Sequence, residues 1–163
     1  MTDVDETMEK TVGKLLVKNG KTMSTAESCT GGYIAHLITA IPGSSAFYNG
    51  SVVSYSNEVK QNVLQVKKDT LDEVGAVSEE VVKEMAIGAL KNIGTDYTIA
   101  VSGIMGPDGG VPDKPVGTVW VCVGSMEKLV TNKFSFRFDR ERNIRLTALN
   151  SLNMLRKFIL DNN

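Results

Sequence analysis

The stretch TMSTAESCTGGYIAHLI, residues 22–38, changes its period half-way along. Thr22 to Ala26 is short, rich in threonine and bounded by polar residues, as a strand ending at Glu27 would be. Beyond it Ile34, Leu37 and Ile38 fall at helical spacing, so a helix is expected from near Thr30 and Gly31 to just before Pro42. A strand feeding directly into a helix is the repeating unit of α/β folds.

The flanking sequence continues the alternation. Between Val4 and Lys18 the residues Met8, Val12, Leu15 and Leu16 form one apolar helical stripe, with Gly20 as C-terminal cap. After the turn Pro42-Gly43-Ser44-Ser45, Phe47 to Tyr55 reads as a strand bulged or bent around Gly50. Asn57 is placed to cap a helix carrying Val59, Val63 and Leu64, and a short helical turn with Leu71 and Val74 follows. Ser78, with Glu79 and Glu80 behind it, caps a helix that runs to about Ile93 and stops at Gly94. Three strands are then expected over 97–102, 118–123 and 129–138. Asp139 caps a last helix built on Ile144, Ala148, Leu152, Leu155 and Ile159. The sum is a single α/β domain over residues 1–163 with a mostly parallel or mixed sheet.

Composition excludes several classes of function. With 163 residues, 42% hydrophobic and 23% charged, the chain is sized and balanced for one globular domain. A net charge of −1 supplies no positive field for a polyphosphate backbone, so nucleic acid is not an expected partner. No apolar run approaches the roughly 20 residues of a membrane span, and MTDVDETMEK lacks the basic and apolar regions of a secretory signal. A cytoplasmic protein without membrane contact is expected. Cys29 and Cys122 are read as free thiols, and a single histidine, His36, leaves no metal-ligand cluster. Neither a metal nor a cofactor is expected.

Three polar constellations fall at predicted strand ends, where open α/β sheets bind ligands. In the first, 25–32, Ser28 is lifted to the sheet edge near the free N–H groups of the next helix around Thr30 and Gly31, donors suited to an oxyanion. Serine and threonine at a helix start are also ordinary caps, and Cys29 is a rival nucleophile that doubles as a small core residue. The second, Tyr55 to Lys60, puts Lys60 one turn into a helix, either on the surface or pointing back to the strand end. His36 lies two turns into its own helix and is no partner for Ser28, so a neutral, desolvated lysine is the natural base. The third, Ser102 to Gly117, is rich in glycine and proline and fits either a phosphate cradle or a plain connection. Arg137, Arg140, Arg142 and Arg145 gather at the last helix as a solvated face, or with Arg140 as a phosphate ligand.

The runs TAESCTGG (25–32), PGSSAF (42–47), YSNEVK (55–60), GAVSEEVV (75–82) and SGIMGPDGG with KPVGTVW (102–110, 114–120) resemble the CinA C-terminal domain family, in order and spacing. In layout the chain is most similar to that family's stand-alone nicotinamide-nucleotide amidases. The resemblance implies a three-layer α/β/α domain that hydrolyses the carboxamide of nicotinamide mononucleotide, giving nicotinate mononucleotide and ammonia in pyridine-nucleotide recycling. It implies a metal-free mechanism with Ser28 as nucleophile and Lys60 as base, Tyr55 beside them. Thr30, Gly31, Gly32, Ser44, Asn57, Gly103, Gly106, Gly109, Gly110 and Arg140 are the expected substrate-binding positions. The partner implied is a small nucleotide, and a homodimer is the base-rate assembly. The N-terminal domain resembling molybdopterin-binding proteins that many members carry is expected to be absent. Phe138 and Met105 depart from the family pattern and are expected to reshape the pocket. The alternative is a non-catalytic nucleotide- or protein-binding domain linked to competence or DNA damage.

Overall fold

The computed structural model describes residues 6–163; the expected first-helix start at Val4 lies outside them. The interior strand β1 (Met23–Glu27) is buried at every residue. It pairs in parallel with β2 (Tyr48–Val53) on one side and β3 (Tyr97–Gly103) on the other. Antiparallel β4 (Thr118–Gly124) and β5 (Leu129–Ser135) extend the sheet to the order β2-β1-β3-β4-β5. The sheet is therefore mixed.

Helices cover both faces. On one lie α1 (Met8–Asn19), α2 (Tyr33–Thr39) and α6 (Arg140–Asn162), over a core that includes Val12, Leu16, Ile99, Val121 and Leu155. On the other lie α3 (Asn57–Leu64), α4 (Lys68–Val74) and α5 (Glu79–Ile93), over Ala26, Ala100 and Cys122. Side chains alternate along each strand, so one short strand serves two cores. This is the three-layer α/β/α arrangement.

Several boundaries shift from expectation for local reasons. Gly31 and Gly32 have φ of 59° and 96°, a left-handed backbone that cannot continue into a helix, so α2 starts at Tyr33 and not near Thr30. The irregularity expected at Gly50 falls at Asn49, where Met23 pairs with Tyr48 and Ser24 with Gly50. Ser56, and not Asn57, caps α3, its Oγ accepting from Val59 N–H at 3.2 Å. β2 ends at Val53 and β5 at Ser135, both short of the expected Tyr55 and Phe138.

The position of α3 against α5 is set by a glycine. Gly88 of α5 faces the C-terminal carbonyl of α3 so closely that an added Cβ would overlap Leu64 O. Backbone cannot yield as a flexible side chain does. Gly88→Ala is expected to destabilise the fold by about 1–3 kcal/mol by forcing the helices apart. Thermal unfolding checks this, and an unchanged Tm would show that α3 and α5 separate freely.

Candidate active site

Parallel β1, β2 and β3 end together, and their carboxyl ends carry the polar groups. Ser28 follows β1 directly. Its N–H donates to Val101 O at 3.2 Å and its carbonyl accepts from Gly31 N–H at 3.0 Å, which fixes the turn from both sides. Lys60 lies on the first turn of α3 and is 1% exposed. Its Nζ is 2.9 Å from Ser28 Oγ, and it donates to Ser54 O at 2.7 Å and Tyr55 O at 3.3 Å. Burial lowers the lysine pKa, since water no longer stabilises the charged form.

The rival nucleophile is disfavoured by its surroundings. Cys29 is buried in the apolar core on the α1/α2/α6 face. Burial, the dominant cause, pushes its thiol up to about 12, so it stays protonated near neutral pH. His36 is exposed on α2 and does not line the pocket. Among the described residues no group of His, Cys, Asp or Glu is arranged to hold a metal, and no helix is long and apolar enough to cross a membrane.

Glu27 is the residue that sequence reading passed over as a strand terminator. It is fully buried, and its carboxylate accepts from Thr25 Oγ1 (3.1 Å), Thr30 Oγ1 (2.7 Å), Ile34 N–H (2.9 Å) and Ala35 N–H (2.9 Å). Gly32, at the N-cap of α2, has no side chain to do this. The helix start expected to hold an oxyanion is thus already filled by an internal anion. Gly31 N–H is likewise spent on Ser28 O. The N–H groups of Cys29, Thr30 and Gly32 remain without an oxygen acceptor among the described residues, those of Cys29 and Thr30 set against the Cys29 sulfur, a weak acceptor.

A pocket of about 270 Å³ opens above the dyad. Ser28, Lys60, Tyr55, Asn57, Gly103 and Arg140 line it, together with Cys29, Ala76, Val77, Ser102 and Met105, which were not assigned to substrate binding from sequence. Arg140 Nη1 donates to Gly106 O at 2.7 Å and Nη2 to Tyr55 Oη at 3.2 Å. Tyr55 therefore meets Lys60 through its carbonyl, while its phenol belongs to the arginine at the mouth. Asn143, fully buried on α6, donates to Met105 O and Phe138 O at 3.0 Å each and so seats the start of α6 against the loop after β3. A buried asparagine inside a helix carries no signal of this in sequence. A larger depression of about 420 Å³ lies at the opposite end of the sheet, around Lys21, Asp96 and Asn163, but offers no nucleophile with a base.

This architecture has counterparts. The family model for the CinA C-terminal domain matches residues 5–159. The chain belongs to the CinA family. A CinA-like protein of Cytophaga hutchinsonii is 51% identical over 152 residues, 93% of this chain and 36% of that protein. A putative competence-damage inducible protein of Thermoanaerobacter pseudethanolicus is 45% identical, over 96% of this chain and 38% of its own length. The chain thus spans little more than a third of these curated relatives. A CinA superfamily protein from Klebsiella pneumoniae has a TM-score of 0.92 at 37% identity, covering 94% of this chain and 96% of that one. The competence/damage inducible protein of Agrobacterium tumefaciens has a TM-score of 0.88 at 34% identity, covering 97% and 99%.

Other expected positions of this CinA domain are not brought to the pocket. Ser44 precedes β2, which runs parallel to β1, so it stands at the far end of the sheet from Ser28. Gly109 and Gly110 serve the loop's own fold, an added Cβ at Gly110 meeting Val116 N at 2.8 Å. Thr30 acts on Glu27, and Gly31 and Gly32 shape the turn. Gly106 acts through its carbonyl. Of the two departures, Met105 reaches the pocket, whereas Phe138 lies exposed with Arg142 stacked 3.9 Å over its ring. Glu27→Gln would set amide N–H groups against a cradle of donors and is expected to cost about 1–3 kcal/mol of stability. Urea unfolding with an unchanged m-value measures it; equal stability would mean the cradle contributes nothing net.

Proposed function

We propose that this domain is an amidase that hydrolyses the carboxamide of nicotinamide mononucleotide through a Ser28–Lys60 dyad. The observation that carries the reading is the placing of the amine. A protonated Lys60 has three N–H groups and three oxygen partners, Ser54 O, Tyr55 O and Ser28 Oγ. Once neutral it has two N–H groups, which the two carbonyls occupy, and its lone pair is left facing the Ser28 hydroxyl. Burial favours that neutral form.

In the proposed reaction Lys60 takes the Ser28 proton as Oγ bonds to the carboxamide carbon. Backbone N–H groups of the turn after Ser28, that of pocket-lining Cys29 among them, hold the oxyanion. The C–N bond breaks, the nitrogen leaves as ammonia with the proton from Lys60, and water cleaves the acyl-serine by the same route. The substrate class is supported by Arg140, preorganised at the pocket's mouth with donors left for a phosphate. The family resemblance agrees with it.

The direct test is ammonia release from nicotinamide mononucleotide. It should be abolished or reduced on the order of 10³-fold in Ser28→Ala. No release by the unaltered protein would favour the non-catalytic binding module instead. A second expectation comes from the lowered lysine pKa. The active form is the deprotonated amine, so kcat/KM should climb as pH rises through the Lys60 ionisation, below the ordinary lysine range, and level off above it. Lys60→Arg keeps the charge but cannot deprotonate, and should be as inactive as Lys60→Ala. An active arginine variant would remove Lys60 as base.

A further inference from the structure

Ser28 shares its level of the sheet with two other hydroxyls. Glu27 pairs with Val53 of β2 and with Val101 of β3, so the next residues, Ser54, Ser28 and Ser102, form a row across three parallel strand ends. Neighbouring strands lie about 4.8 Å apart. By alternation the row falls on the face that carries Val52, Ala26 and Ala100, the face from which Lys60 reaches Ser28.

The two flanking serines differ in access. Ser54 is fully buried, does not line the pocket, and its Oγ has no hydrogen-bond partner. On that side Lys60 and the Ser54 carbonyl occupy the space next to the nucleophile. Ser102 is 1% exposed and lines the pocket beside Ser28 and Gly103. Its hydroxyl engages no other described residue. Elsewhere in the sheet buried hydroxyls are satisfied internally: Ser24 with Thr95 and Thr98, and Thr25 and Thr30 with Glu27. Two hydroxyls of the row are thus left idle where a native fold usually satisfies them, and of the two only that of Ser102 belongs to a residue lining the pocket.

We propose that Ser102 Oγ accepts a hydrogen bond from the amide nitrogen of the scissile group, making it the residue that orients the carboxamide; this rests on the amidase reading. With the carbonyl carbon over Ser28 Oγ, the β2 side is taken by Lys60. The nitrogen stays within reach of the proton that Lys60 returns to it, and one of its N–H groups is directed along the row towards β3, where Ser102 stands one strand spacing away.

The test uses equilibrium binding in the Ser28→Ala protein, which cannot turn over. Two ligands are compared: nicotinamide mononucleotide, and 3-acetylpyridine mononucleotide, whose methyl ketone has no N–H. Adding Ser102→Ala should weaken the amide nucleotide by about 5- to 30-fold, the loss of one hydrogen bond, and leave the acetyl nucleotide within about twofold. A merely structural role would weaken both alike, and no loss for either would leave Ser102 without a substrate contact; each overturns the inference while the amidase reading stands. If Ser28→Ala binds neither nucleotide, the amidase reading itself fails and takes the inference with it.

Discussion

A lysine amine is held inside this protein with no carboxylate among its bonded partners. Lys60 Nζ rests on two backbone carbonyls and a serine hydroxyl, and none of the ion pairs among the described residues involves it. A paired lysine would be locked as a cation; an unpaired, desolvated one can give up its proton. Much of the surrounding fold serves to hold it there. Ser56 caps the helix that carries it, Gly88 lets the next helix press close behind, and β2 extends past its last strand residue so that Ser54 N–H reaches Glu27 O at 2.8 Å.

On the opposite face of the same strand end sits the complementary case. Glu27 is a buried acid with no lysine or arginine bonded to it, satisfied by two hydroxyls and two helix N–H groups. The N-terminal end of α2 supplies partial positive charge, which suits a carboxylate. Glu27 and Ser28 are adjacent in the chain, so the rigidity of the cradle is passed on to Ser28 through a single peptide. Lys60 and Glu27 are thereby kept on opposite faces of the sheet, and neither neutralises the other.

The layering of this fold was legible because it rests on period: VWVCV in β4, the stripe of α6 and the strand-to-helix change after Glu27 all read correctly. Ser28 was legible as a serine at a strand end. Lys60 was not, by spacing alone, since a lysine on the first turn of a helix is usually solvated; it was reached through the want of a histidine and the family motif. Glu27 escaped because its helix partners lie seven and eight residues on, across two left-handed glycines, and Asn143 because one of its acceptors comes from the loop after β3. Ser44 was misplaced for a different reason. A motif in the right order along the chain does not tell which end of a parallel strand it occupies.

Ser28 and Lys60 are encoded within residues 28 to 60, but the wall and mouth of the pocket come from Ser102 to Gly106 and from Arg140 and Asn143 on the last helix. During synthesis the dyad therefore leaves the ribosome long before the helix that encloses its pocket. β1 must also wait, since its β3 neighbour and the α6 face of its core are made late. A nascent chain that has not yet made the last helix would carry Ser28 and Lys60 without the pocket walls that surround them in the folded domain. The pocket around the pair is then a property of the folded domain, bounded only once its last helix is in place.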